Sequence, residues 1–151
     1  MKAILAPVPC LHIFDALKTC AKHGTVAFGS QADFFFQDEH KKCRFPTGTK
    51  VLITATRPEL GHSNFYKFGT ANFRAAFVQW TKANDDGEHP SPQLRPLSTI
   101  RDTPFFGFWE VSGLEEVIHP IPFQKLFAAN SGQSVQTVPR GPIEVIWNDA
   151  N

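Results

Sequence analysis

Four side chains of the kinds that hold metal ions, Cys10, His12, Cys20 and His23, fall within 14 residues. Cys20 and His23, three apart, would share one face of a helix. Their spacing, C-x-H followed by C-x-x-H, is not a zinc pattern. Cys20 suits a small core position equally well, and His23 suits the last turn of a helix, where positive charge meets the negative end of the dipole. The expectation is therefore no metal and no cofactor, with this quartet as the alternative. Cys10 with His12 and Cys43 with His40 have the residue types of an activated thiol, but a free cysteine is more often a buried, inert group. Asp85-Asp86 and Glu115-Glu116 are paired carboxylates at a turn and a strand end, where solvated charge is the ordinary reading. The chain has no G-x-x-x-x-G-K-[ST], G-x-G-x-x-G, H-E-x-x-H or G-x-S-x-G, so nothing supports a phosphate cradle, a zincin or a serine-hydrolase elbow.

The richest chemistry lies in Arg57 to Phe68 (RPELGHSNFYKF), where aromatic rings and a histidine mix with amide, hydroxyl and basic groups. Together with Trp80 and Trp109 these are the components of a pocket for a planar base. Stacking contributes about 1 to 3 kcal/mol per base, and polar groups read the base edge. Arg57, Lys67, Arg74 and Arg101 are the candidates for phosphate contacts. For each tryptophan the competing reading is a core position in a Phe-rich β domain. The charge distribution points the same way. Residues 41 to 101 carry ten Lys or Arg against four acids, and the flanks are net acidic, although the whole chain is only +1. A basic middle third suits an anionic partner, DNA or RNA, and suits a plain solvated surface as well.

Composition sets the frame for these residues. At 151 residues the chain reads as one domain with enough length to bury a core unaided. Hydrophobic residues make up 42% and charged residues 19%, and no apolar run approaches the roughly 18 residues a bilayer span needs, so disordered, collagen-like and transmembrane classes are excluded and no membrane partner is expected. Fifteen Phe, 12 Pro and 10 Gly favour short strands and turns. Three cysteines, an odd number without a C-x-x-C pair, fit a reducing compartment. The apolar stretch near Met1 is too short for a signal-peptide core, so the expected location is cytoplasmic.

Along the chain, Met1 to Ala6 reads as a strand, Leu11 to His23 as a helix stopped by Gly24, and Thr25 to Gly29 and Phe34 to Gln37 as short strands. A turn at Pro46 to Lys50 leads into the β-branched strand Val51 to Thr56. Gly69 to Ala83 alternates, with Ala71, Phe73, Ala75 and Phe77 on one face and Arg74, Val78 and Trp80 on the other. Asn84 to Pro104 has four prolines and no period, which makes it a functional loop or a mobile one. Phe105 to Val117 is apolar on both faces and so central or barrel-forming. Phe123 to Ala129 fits two helical turns, and Ser134 to Val138 and Ile143 to Trp147 close as strands. The expected class is α+β and mostly β.

The order of these pieces resembles the PUA-like superfamily, in particular the EVE and ASCH domains. The resemblance rests on the turn and strand of Pro46 to Ile53, on the G-x-A-x-F pattern of Gly69 to Phe77, and on Val111 to Leu126 with its P-I-P step. His62-Ser63-Asn64 is similar to the His-Ser-Asn of EVE domains. The loop here is longer by Arg57 to Gly61, and Ala3-Ile4-Leu5 stands where EVE domains have Tyr-Trp. The resemblance implies a small, partly closed β-barrel with flanking helices and a pocket at its mouth that accepts a nucleobase, often a modified one. His62, Ser63 and Asn64 would line that pocket, and Trp80 or Trp109 would stack on the base. ASCH relatives also include small amidohydrolases acting on acylated nucleosides. In that alternative Lys50 or Lys67 would serve as base, and Thr47 or Thr49 as nucleophile or orienter. A non-enzymatic protein-interaction domain is the third class.

Overall fold

The computed structural model describes residues 1–31, 34–57, 69–102 and 104–148. It contains β1 (Lys2–Pro9), α1 (Cys10–His23), β2 (Thr25–Ser30), β3 (Lys50–Thr56), β4 (Thr70–Lys82), β5 (Gly107–Pro122), β6 (Leu126–Ala128) and β7 (Ile143–Trp147), with short 3₁₀ turns between β4 and β5 and between β5 and β6. All the strands belong to one mixed sheet of order β2-β5-β4-β3-β1-β7-β6. Within it β1 is an interior strand, parallel to β3 on one side and antiparallel to β7 on the other. Alternation along β1 explains that position. Ala3 and Leu5 enter one core while Ile4, Ala6 and Val8 enter the other, and a strand that is apolar on both faces must be covered on both. The mostly β class holds. The sheet is not closed, however, because β2 and β6 are its two edges and no ladder joins them among the described residues.

The larger core lies between the sheet and α1. Cys10, Ile13, Ala16 and Cys20 are the buried residues of the helix, at the three- and four-residue spacing of one helical stripe. The helix ends at Gly24, whose φ of 83° lets its N–H reach the Cys20 carbonyl at 2.8 Å. The sheet side of this core is built from Val51 and Ile53 of β3, Phe73 and Phe77 of β4, and Trp109 and Val111 of β5. The second core, on the opposite face, gathers Leu5, Leu52, Ile121, Phe123, Leu126 and Trp147.

Several elements depart from the sequence expectations, each for a visible reason. Trp80 packs against the same core as Phe77, not on the other face. A register shift between Phe77 and Gln79 inserts one residue, and a bulge of that kind reverses the alternation beyond it. Phe34 to Gln37 is a turn closed by a bridge between Gln37 and Cys43. The Asp38 carboxylate stabilises it by accepting the N–H groups of His40 and Lys42. β5 continues through Pro120, which sits where the ladder to β4 is interrupted between Glu116 and Ile121, so the missing N–H removes no bond. The expected helix at Phe123 to Ala129 is a single 3₁₀ turn, Phe123–Lys125, followed by β6. Pairing of Leu126 to Ala128 with β7 outweighs local helix propensity. Of Ser134 to Val138, Ser134 alone makes a bridge, to Phe127.

Gly87 holds the two ends of the 84–104 segment together. Its carbonyl accepts the Phe105 N–H at 3.1 Å, its φ is 80°, and a Cβ there would lie 2.2 Å from Pro104 Cβ. Both the left-handed backbone and the close approach require glycine. Gly87→Ala is expected to cost about 2 kcal/mol or more, read as a lower denaturant midpoint at unchanged m-value.

Candidate ligand-binding cleft

Glu110 on β5 faces away from Trp109 and is only 3% exposed. One of its oxygens, Oε2, accepts the Thr81 hydroxyl, the Gln79 amide at 3.4 Å and His89 Nε2 at 3.2 Å. The Ser91 N–H points at His89 Nδ1, 2.7 Å away, so Nδ1 is the acceptor and the ring proton sits on Nε2, facing the carboxylate. Arg95, also 3% exposed, donates to Glu88 at 2.7 Å and to the Thr99 carbonyl. Its guanidinium lies 5.3 and 5.4 Å from the rings of Phe105 and Phe108. These contacts decide between the two readings of the segment. Residues 84–102 are fastened to β5 by buried polar groups, and they carry Thr99 and Asp102 to a fixed place.

That place is a cleft of about 460 Å³. The end of β1 and the first turn of α1 supply one side, with His12. The end of β2 with the Phe34 to Phe36 turn supplies the next, and Arg140 to Pro142 close the circuit with Thr99 and Asp102. Six aromatic rings line it: Phe28, Phe34, Phe35, Phe36, Phe105 and Trp109. Trp109 stacks on Phe28 at 4.5 Å and on Phe36 at 5.9 Å and is 3% exposed, so it is a braced wall. Phe34, at 79% exposed, is the ring with an open face. Arg44 steadies the neighbouring Phe35 from outside, 5.4 Å from its ring, while paired to Glu144 at 2.6 Å.

His12 is fixed by Ser98, whose hydroxyl lies 2.7 Å from Nδ1, with Asp102 Oδ2 3.9 Å from Nε2. Ser, His and Asp in a row invite comparison with a hydrolytic triad. The Ser98 N–H, however, donates to Asp15 Oδ2 at 2.9 Å, placing a carboxylate where an oxyanion would need donors. The group is a clamp between α1 and the 3₁₀ turn Leu97–Thr99. His12 and Asp15, three apart, share the helix face that grips it.

Of the residues singled out from sequence, His62, Ser63, Asn64 and Lys67 lie outside the described residues. Trp109 lines the cleft. Trp80 stands behind it, stacked on Phe36 at 5.2 Å. Arg101 is exposed and adjoins the cleft through its neighbour Asp102. Arg57 follows the end of β3 with a φ of 49°. Arg74 pairs with Glu115 at 2.5 Å in a separate groove shared with Lys50, so the basic candidates do not form one surface. The hydroxyls of Thr47 and Thr49 donate to the carbonyls of Val78 and Pro46 at 2.8 and 2.7 Å, which leaves neither proton directed at Lys50. The metal quartet does not assemble. Cys10 and Cys20 are buried, His12 turns to Ser98 and His23 is exposed. Among the described residues no group of three potential ligands gathers. Compared with protein-family models the chain matches none, and no curated protein sequence matches it.

Sequence reasoning passed over Phe34, Phe35, Phe105, Asp102 and Arg140. A signal was present in Phe34-Phe35-Phe36, because three successive rings between turn residues cannot all be buried on one face of a strand. Replacing Glu110 with Ala leaves Thr81, Gln79 and His89 without their acceptor. It is expected to cost about 3 kcal/mol and to open residues 84–102 to limited proteolysis, while Asp15→Ala loosens only the clamp and leaves that cutting pattern unchanged.

Proposed function

We propose that the domain is a non-catalytic nucleic-acid module that holds an extruded nucleobase in this cleft, on a PUA-like architecture of the EVE or ASCH type with the seven-stranded sheet as its partly closed barrel. The observation that carries the reading is the coincidence, in one cleft of about 460 Å³, of six aromatic rings with an imidazole, a carboxylate, a guanidinium and the amide of Gln31. A cavity of that size takes a base or nucleoside. Rings supply stacking and polar groups supply edge contacts. Arg140 at the rim and Arg101 beside it suit phosphate oxygens of the strand on either side of the base.

Trp109 lies in the cleft wall, Trp80 behind it and Trp147 in the opposite core, so intrinsic fluorescence from the first two reports occupancy over the background of the third. Titration with short single-stranded DNA and RNA, modified and unmodified, is expected to quench it. Phe34→Ala is expected to weaken binding about tenfold, the equivalent of one lost stacking contact, without changing the denaturation midpoint. Affinity should fall with salt, by a slope of about 0.7 per phosphate contact on a single strand. Absence of quenching by every oligonucleotide, with Phe34→Ala behaving as wild type, would overturn the reading and leave a protein-interaction scaffold.

A further inference from the structure

The cleft holds two opposite charges that do not neutralise each other. Asp102 comes from the segment fastened to Glu110 and Arg140 from the loop before β7, and both line the same cleft. No ion pair joins them among the described residues. The Asp102 side chain is 47% exposed, and the imidazole of His12, the ring nearest its carboxylate among the ion pairs of the described residues, has Nε2 3.9 Å away, beyond hydrogen-bond length. Arg140 is exposed and has no ion-pair or hydrogen-bond partner among the described residues. A ligand that covers this carboxylate displaces its hydration, and a cationic donor replaces that hydration more strongly than a neutral one, so Asp102 favours positive charge. The aromatic walls select the same way, because the face of each ring attracts a cation.

Resting on the nucleobase reading above, we infer that the preferred ligand is zwitterionic: a nucleotide whose base is made cationic by methylation of a ring nitrogen that otherwise bears only a lone pair, as in 7-methylguanine or 1-methyladenine, with its phosphate at Arg140. Methylation of a ring nitrogen that bears only a lone pair gives a nucleobase a positive charge that its parent lacks. The modified base then carries the charge that Asp102 and the rings prefer, and the unmodified base lacks it. Phe34, the most open ring of the cleft, is the face on which the cationic base lies.

The test compares four mononucleotides, 7-methylguanosine 5′-monophosphate against GMP and 1-methyladenosine 5′-monophosphate against AMP, by fluorescence titration. Each methylated member is expected to bind about tenfold tighter than its parent. Asp102→Asn should abolish that ratio in both pairs. Arg140→Gln should keep the ratio and remove the advantage of the monophosphate over 7-methylguanosine. A single-stranded RNA trimer with 7-methylguanosine at its centre separates the two sources of the ligand: tighter binding than the mononucleotide places it within a strand, and weaker binding makes it a free nucleotide. Equal affinity of methylated and parent nucleotides in the unaltered protein overturns the inference while leaving the nucleobase reading intact. Failure of all four nucleotides and the trimer to bind overturns both.

Discussion

A buried carboxylate is tolerable only if its oxygens are satisfied, and in this domain Glu110 is satisfied largely from outside its own strand. Thr81 and Gln79 come from the adjacent β4, and His89 comes from the long segment that follows it. The requirement therefore runs outward. His89 must lie over β5, Arg95 then tucks under Phe105 and Phe108, and its hold on Thr99 places the wall of the cleft. A segment with four prolines and only two short 3₁₀ turns is thereby fastened to the sheet beneath it. Removal of one carboxylate would release a chain of dependents rather than a single contact, which is how buried polar networks usually behave.

The other organising constraint is that one sheet covers two cores. Strands with apolar residues on both faces would pack badly on a single regular pleat, because the side chains best suited to the helix-side core do not all fall on alternate positions. Irregularities solve this. The register shifts in the β4–β5 ladder turn Ala71 towards one core and Phe73 towards the other, and then bring Phe77 and Trp80 to the same side. Asn72, left between ladders, is buried. Its Oδ1 accepts the Ala55 N–H, and its Nδ2 donates to Thr70, so a bulged position becomes a polar tie to β3.

Much of the frame was legible in the residues. α1 with its glycine stop, the β-branched β3 and the long strands β4 and β5 follow from periodicity and turn chemistry, which are local. What escaped is what tertiary contact decides. A bulge at Val78 leaves no mark on the alternation of its neighbours, so Trp80 was placed on the wrong face. β6 exists because β7 is there to pair with it. The cleft was hardest of all, because its lining comes from five separate stretches of chain, and Asp102 and Arg140 look like ordinary loop charges until they share a cavity. The loop at residues 57–68, where sequence chemistry is densest, lies mostly outside the described residues. Aromatic surplus, by contrast, was visible from composition, and Phe28, Phe35, Phe36, Phe45, Phe77, Trp80 and Trp109 form one connected set of rings.

The position of β1 has a consequence for how the chain comes to be folded. Its two neighbours, β3 and β7, belong to distant parts of the sequence, and the ladder with β3 is parallel, so neither pairing can begin as a local hairpin. Both cores contain residues of β1; the helix-side core waits for β3 and the opposite core for both β3 and β7. Before they arrive β1 is an apolar ribbon with two unpaired edges, the kind of segment most prone to join another copy of itself. Folding speed and protection from aggregation are thus tied to the same event, the closing of β7 against β1, and a chain halted short of Ile143 would carry that open edge permanently.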